Sequence, residues 1–169
     1  MKTVNLKFQG GMELKPTIEI DGKIADFKKN KHEAILISHQ TENDFITIMV
    51  KNTLEVKGPC WWLVQMAFFI FSIFGILNPI LQKNCFEIIY QAKIYLPNEK
   101  NEIMFKFNPL KDGEKAIQVM TDAQVEEKEN KYVFDAVAKK RNKILGWSFA
   151  ISWVILICVV SLILYFTLR

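Results

Sequence analysis

Alternation of apolar and polar residues dominates the first 57 residues of the chain. A period of two is typical of β-strands with one buried face, and runs of this kind predict five or six short strands. Asp21-Gly22 lies between two runs and predicts a tight hairpin, because both central residues of such a turn need a positive φ. The predicted strands cover residues 4–8, 17–20, 23–27, 34–38 and 45–50, with 53–56 continuing the last of them.

Two stretches without a charged residue, 58–82 and 144–168, interrupt and end this pattern. Each stretch contains 25 residues. A helix rises about 1.5 Å per residue, so such a stretch could reach roughly 37 Å, which exceeds the ~30 Å hydrocarbon core of a bilayer. The pattern therefore predicts a membrane protein.

The second stretch, 144–168, has the features of a transmembrane anchor. Small residues at Gly146 and Ala150 are four apart, which would let another helix approach closely, although ordinary small residues in an apolar helix are the alternative. An excess of basic residues beside a membrane helix marks its cytoplasmic side. A basic group of this kind stands directly before the stretch, at Lys139, Lys140, Arg141 and Lys143.

The first stretch, 58–82, is less regular. Asn78 precedes a proline, and this dipeptide disfavours helical dihedrals, so a helix in the stretch is expected to end or kink there. Tryptophan suits the headgroup zone, and polar side chains inside an apolar segment often mark contacts. The candidate contacts with lipid or a membrane partner in this stretch are Trp61, Trp62, Gln65, Phe68, Phe71 and Asn78.

The β pattern resumes after the first stretch, at residues 85–96, 102–107 and 116–120. From Thr121 the pattern changes, because Thr121 and Gln124 have capping-box spacing and the following acidic residues suit a helix N-terminus. We therefore predict a helical connector over residues 122–143 that runs into the second apolar stretch. A strand over 132–137 is the competing interpretation.

The topology of the first stretch leaves two alternatives. If it crosses the membrane once, the β-rich regions on either side of it lie on opposite sides, and each must fold with about sixty residues, where stability is marginal. If it enters and returns, both regions can form one cytoplasmic domain, with Val56 and Phe86 on adjacent strands. The β content on both sides and the break at Asn78 favour the second arrangement.

The predicted fold class is therefore an α+β membrane protein. A β-rich, sandwich-like domain is interrupted by one apolar membrane segment and followed by a C-terminal transmembrane helix. The expected parts are a β-rich half-domain (1–57), a membrane-inserted segment (58–82), a second β-rich half-domain (83–121), a helical connector (122–143) and a transmembrane anchor (144–168).

Charge and cysteine content exclude several kinds of protein. The net charge of +4 comes from 22 basic and 18 acidic residues that are dispersed along the chain. Nucleic-acid binding needs basic residues clustered on one face, so we expect no nucleic-acid partner. The three cysteines, Cys60, Cys85 and Cys158, resemble neither a disulfide framework nor a metal site.

Candidate catalytic chemistry is missing from the sequence. The two histidines, His32 and His39, are seven residues apart and would point to opposite faces of one strand. No Cys-x-x-Cys pair, zinc-binding His pair, acidic calcium loop or phosphate-binding glycine loop occurs. We therefore expect no enzymatic activity, no metal and no cofactor.

The function hypothesis is a small non-enzymatic accessory protein of the cell membrane. Its β-domain would face the cytoplasm and would bind or regulate a larger membrane complex. Its expected partners are membrane lipid and either another membrane protein or a second copy of the chain. The alternatives are an immunity protein against a membrane-directed toxin and, less favoured, a membrane enzyme that acts on lipid.

Overall fold

A computed structural model of the chain describes residues 1–11, 14–26, 28–29, 34–52, 54–58, 60–63, 65–67 and 84–168. Two compact units emerge, one from Met1–Thr53 with Phe86–Phe134 and one from Leu54–Cys85 with Asp135–Arg169. The strands of the described part are β1 (Lys2–Gln9), β2 (Thr17–Ile20), β3 (Lys23–Ile24), β4 (Lys28–Lys29), β5 (Ala34–Thr41), β6 (Phe45–Lys51), β7 (Phe86–Tyr95), β8 (Lys100–Phe107), β9 (Ile117–Met120) and β10 (Val125–Phe134).

The first unit contains two five-stranded sheets. Sheet I has the order β4-β5-β1-β8-β9, and sheet II has the order β10-β7-β6-β2-β3. In sheet I, β1 pairs in parallel with β8, so that Leu6 lies opposite Ile103. In sheet II, β6 pairs antiparallel with β7, so that Lys51 lies opposite Ile89. Each sheet therefore combines strands from before and after the first apolar stretch.

The buried faces of the two sheets share one hydrophobic core. Alternate residues of each strand point into it, as the period of two predicts. The ring of Phe105 stacks on Phe8 with 4.5 Å between centroids and meets Tyr90 edge-on at 6.1 Å. Fully buried members from both sides of the apolar stretch are Val4, Leu6, Phe8, Ile18, Ile46, Ile48, Val50, Ile88, Tyr90, Ala92, Ile94, Ile103 and Phe105.

The shared core bears on the two topologies left open by the sequence. A folded β-domain with one core lies on one side of a bilayer, because only helices and closed barrels span the hydrocarbon region. Strands β6 and β7, which flank the apolar stretch, are hydrogen-bonded neighbours. The strands before and after the apolar stretch therefore belong to one β-domain, as the second arrangement expects, and the path of the stretch relative to a membrane stays a prediction.

Most of the predicted strands are confirmed, as is the hairpin at Asp21-Gly22. Asp21 has a φ of 50° and Gly22 a φ of 77°, as the tight turn between β2 and β3 requires. The Asp21 carboxylate also accepts a hydrogen bond from the backbone amide of Thr47 at 2.8 Å, which fixes the turn beside β6.

The helical connector predicted from residue 122 is wrong over most of its length. Residues 125–134 form β10, which pairs antiparallel with β7, and its register shifts between Glu127 and Glu129. Val125 and Tyr132 both pack on the core although they are seven residues apart, because the bulge inserts one extra residue. A spacing of seven residues breaks the period of two and equals about two turns of a helix, so the sequence pattern resembles a helical stripe. The helix itself, α1, covers Ala136–Thr167.

The strand expected over residues 53–56 is also wrong, because β6 ends at Lys51. The Asn52 side chain then forms hydrogen bonds with the main chain of β7, in place of those that a further residue of β6 would form. Its amide nitrogen donates to the Phe86 carbonyl at 3.0 Å, and its oxygen accepts from the Ile88 amide at 2.6 Å. One 3₁₀ turn, Glu55–Lys57, follows, so Val56 lies in this turn and not on a strand.

Within the described part of the chain, α1 is the one helix long and apolar enough to cross a membrane. It has 32 residues, which corresponds to roughly 48 Å at about 1.5 Å per residue. Its first turns carry the basic group that precedes the uncharged stretch, so connector and anchor are a single helix.

Candidate membrane-attachment site

The second unit contains the first turns of α1 and both ends of the inserted apolar stretch. Asp135 caps the helix, since its carboxylate accepts a hydrogen bond from the Ala138 backbone amide at 2.9 Å. The Lys57 ammonium lies 3.2 Å from the same carboxylate. The Ala138 amide, followed by Lys57, holds the pKa of Asp135 below its usual range. The cap is therefore charged at neutral pH and tied to the segment that enters the stretch.

Arg141 makes a second set of contacts with the residues that directly precede the apolar stretch. Its guanidinium donates to the carbonyls of Val56 at 2.8 Å and Lys57 at 3.2 Å. The guanidinium carbon also lies 5.3 Å from the centre of the Trp61 ring. One guanidinium nitrogen makes both hydrogen bonds while the planar group lies near an aromatic ring, a combination that suits arginine better than lysine.

Cys85, which follows the apolar stretch, contacts the same turns of α1. The carbonyl of Cys85 accepts a hydrogen bond from the Asp135 backbone amide at 2.8 Å. The Cys85 sulfur accepts from the Asn142 side-chain amide at 3.4 Å. Residues on both sides of the apolar stretch thus contact the start of α1.

Residues 61–63 and 65–67 are helical and expose apolar side chains. Trp61 is half-buried and Gln65 is only 4% exposed, so these two, four residues apart, form the inward face. The outward face carries Trp62, Leu63 and Met66, each at least half exposed. A buried glutamine with large apolar side chains exposed outward is unlike a water-soluble helix, and it suits contact with lipid or a membrane partner.

The four basic residues predicted to set the topology do not share one role. Lys139, Lys140 and Lys143 are exposed on α1, where long side chains can reach the headgroup zone. Arg141 instead points to the carbonyls of Val56 and Lys57. Arg141 belongs to the basic group in the sequence, but in the structure it contacts the residues that precede the apolar stretch.

The remaining predicted contacts are only partly described. Ala150 is exposed, and a Cβ added at Gly146 would meet no atom of the described residues within 4 Å. Close approach of another helix there stays a prediction. Phe68, Phe71 and Asn78 lie outside the described residues.

The chemistry of the described residues gives no metal centre. Among them, no group of three or more His, Cys, Asp or Glu side chains could hold a metal ion. His39 lies 3.5 Å from the Asp21 carboxylate beside the β2–β3 turn, and His32 is outside the described residues. The expectation that the protein is not an enzyme stays a prediction.

The sequence reasoning missed Asp135, Lys57 and Cys85 as members of this site. Asp135 had a usable signal, because an aspartate directly before a helix-forming run is a preferred N-cap. Lys57 and Cys85 had none, because their partners lie 78 and 50 residues further along the chain.

The Asp135 cap predicts an acid-sensitive helix start. Because its folded-state pKa is lowered, the charged cap stabilises the fold above the ordinary carboxyl pKa of about 3.9, and this contribution is lost as pH falls through the folded value. We expect Asp135→Ala to cost about 1 kcal/mol at pH 6 and less at pH 3. Thermal denaturation of the full chain at both pH values measures the difference. Asp135→Asn, which keeps a capping oxygen, is the control, and an equal cost of Asp135→Ala at both pH values would contradict the assignment.

Comparison of the chain with protein-family models, with curated proteins and with solved structures finds no match.

Proposed function

We propose that this protein is a non-enzymatic accessory protein of the cell membrane, which holds its β-domain at the cytoplasmic face and binds or regulates a larger membrane complex. The observation that carries the proposal is the attachment site. Arg141 binds the segment that enters the apolar stretch, and Asp135 and Asn142 bind Cys85 where the chain leaves it. The stretch and α1 then start from one place and enter the same membrane.

The inserted stretch is, in this proposal, a re-entrant membrane element. Its ends are tied to one helix, and strands β6 and β7 on either side of it are neighbours in one sheet. Exposure of Trp62, Leu63 and Met66 supports lipid contact, since tryptophan is enriched at membrane interfaces. The exposed lysines 139, 140 and 143 support a cytoplasmic position for the start of α1.

A partner in the membrane completes the proposal. The apolar part of α1 has none of its side chains buried by the described residues, so lipid, a second copy or another membrane protein would surround it. Gly146 and Ala150 offer a surface where a second helix backbone can come close.

Purification at native abundance tests this proposal. We expect the tagged full chain, extracted in a mild non-ionic detergent, to carry a membrane protein in fixed ratio. A Gly146→Leu/Ala150→Leu variant should lose that partner or a second copy, whereas Ile155→Leu, on an exposed part of the same helix, should not. A protein that is always recovered alone and monomeric would overturn the accessory role.

The membrane attachment is tested on the same membranes. In a background without the natural cysteines, we expect Ser38→Cys and Gln118→Cys to react with a membrane-impermeant maleimide only in inside-out vesicles. Leu168→Cys, after α1, should react only in right-side-out vesicles. Reaction of Ser38→Cys and Gln118→Cys from opposite sides would contradict the re-entrant stretch, and reaction of both from the outside would contradict the orientation.

A further inference from the structure

The outer face of sheet I carries a row of side chains that is unusual for a surface in water. The register places Leu36 of β5 opposite Lys7 of β1, Lys7 opposite Met104 of β8, and Met104 opposite Met120 of β9. These four side chains therefore stand next to each other across four strands. With strands about 4.8 Å apart, the row is roughly 14 Å long. Leu36 is 53% exposed and Met120 is 43% exposed.

This row forms the floor of a concave groove of about 740 Å³. That volume lies within the range of roughly 300–1,000 Å³ that is typical of ligand pockets. Methionine side chains are flexible and polarizable, and they line surfaces that adapt to apolar partners. The groove can therefore accept apolar side chains, which the flat face of a sheet does not do.

One flank of the groove is acidic. Glu102 is two residues before Met104 on β8 and lies on the same face of the sheet, and Asp122 follows β9. Both carboxylates are exposed, and within the described part of the chain neither side chain makes an ion pair or a hydrogen bond. Lys7 is the only basic residue among the groove-lining residues that the structure describes, so the two carboxylates leave a net negative charge.

The outer face of sheet II contains charged groups that do have partners. Glu19 there forms an ion pair with Lys51. The Lys93 ammonium lies 3.9 Å from the centre of the Phe45 ring. These three charged groups of sheet II thus have partners within the domain, whereas Glu102 and Asp122 line an open groove.

We propose that this groove is the docking site for a short amphipathic helical segment of a partner membrane protein, with apolar side chains on one face and lysine or arginine beside them. A helix of about ten residues matches the row, because residues spaced by three and four positions repeat along roughly 15 Å. Its apolar face covers Leu36, Met104 and Met120, and its basic residues meet Glu102 and Asp122.

The basic character of the segment follows from charge complementarity and from location. Cytoplasmic segments beside membrane helices carry an excess of lysine and arginine. A groove with two carboxylates that have no partner among the described residues, on a domain held at that face, suits a juxtamembrane segment of this kind. The inference rests on the proposed function for the location of the domain, and it adds the chemistry of the partner.

Peptide binding by the full chain tests the groove. The protein is placed in nanodiscs of zwitterionic phosphatidylcholine, and a fluorescent fourteen-residue helical peptide of leucine and lysine is titrated, with empty nanodiscs as the blank. We expect saturable binding that Glu102→Lys/Asp122→Lys weakens at least tenfold. The same peptide with glutamate in place of lysine should bind that variant at least tenfold more tightly than it binds the wild type.

Two further variants distinguish binding in the groove from a general effect of net charge and from a loss of folding. Glu42→Lys/Glu129→Lys changes the net charge equally on exposed residues outside the groove and should leave binding within twofold. Met120→Gln removes apolar surface without a charge change and should weaken binding severalfold. Equal binding of the two peptides by the wild type, or unchanged binding in Glu102→Lys/Asp122→Lys, would overturn the docking site. Neither result would affect the vesicle labelling that tests the membrane attachment.

Discussion

Asn130→Ala should lower the free energy of unfolding of the β-domain by about 2–4 kcal/mol. The Asn130 oxygen accepts hydrogen bonds from the backbone amides of Ala116 and Ile117, both at 2.9 Å, and its nitrogen donates to the Ile117 carbonyl at 2.7 Å. Ala116 and Ile117 are fully buried, so both amides would lose their partner away from water. Domains are stable by only about 5–15 kcal/mol, so this loss is large.

The effect follows from where Asn130 lies. It belongs to β10 at the edge of sheet II, and Ile117 belongs to β9 at the edge of sheet I. A single side chain therefore joins the edges of the two sheets. Urea unfolding of the full chain, followed by the circular dichroism of the β-sheets, measures the change.

Two variants control this measurement. Asn130→Asp keeps the accepting oxygen but loses the donor, so we expect a smaller loss than for Asn130→Ala. Asn5→Ala, on an exposed position of β1, should change the stability by less than about 0.5 kcal/mol. If Asn130→Ala were as stable as Asn5→Ala, the link between the two edges would have no energetic role.

Arg141→Ala should release the segment that enters the apolar stretch without unfolding the β-domain. Hydrogen bonds that involve a charged group contribute about 1.5–3 kcal/mol, so loss of the contacts to Val56 and Lys57 should raise local opening roughly tenfold to hundredfold. The Lys57 amide, bonded to the Leu54 carbonyl, reports this opening. Hydrogen exchange of residues 54–58 in nanodiscs measures it.

Neighbouring basic residues provide the matched controls for Arg141. Lys140→Ala removes an equal charge from an exposed position and should leave the exchange of residues 54–58 unchanged. Arg141→Lys keeps the charge but loses the planar guanidinium beside Trp61, so we expect intermediate protection. Equal exchange in Arg141→Ala and Lys140→Ala would show that the basic group acts only through its charge.

The sequence predicted the parts of the fold that depend on neighbouring residues. Strands with an unbroken period of two, such as β1 and β6, and the turn at Asp21-Gly22 could be recognised from local chemistry alone. Strand β10 could not, because the bulge between Glu127 and Glu129 shifts its inward residues to the spacing of a helix. An extra residue in one strand is determined by its pairing with β7, which the local pattern does not contain.

Long-range pairing and the attachment site were beyond local reasoning for the same reason. Parallel pairing of β1 with β8 joins residues almost one hundred positions apart, such as Thr3 and Lys100. Arg141 was correctly recognised as part of a basic group, but its contact with the Val56 carbonyl depends on the folded position of residue 56. Composition predicted the long apolar helix α1, whereas the role of a single basic side chain required coordinates.

The placement of the apolar stretch between β6 and β7 has a consequence for biogenesis. During synthesis the stretch leaves the ribosome before β7 to β10 exist, and both sheets lack strands at that moment. Sheet I lacks its β8 partner for β1, and sheet II lacks its β7 partner for β6. The nascent chain therefore exposes an incomplete, aggregation-prone half-domain at that moment, and the two sheets can be completed only after β7 to β10 have been synthesised.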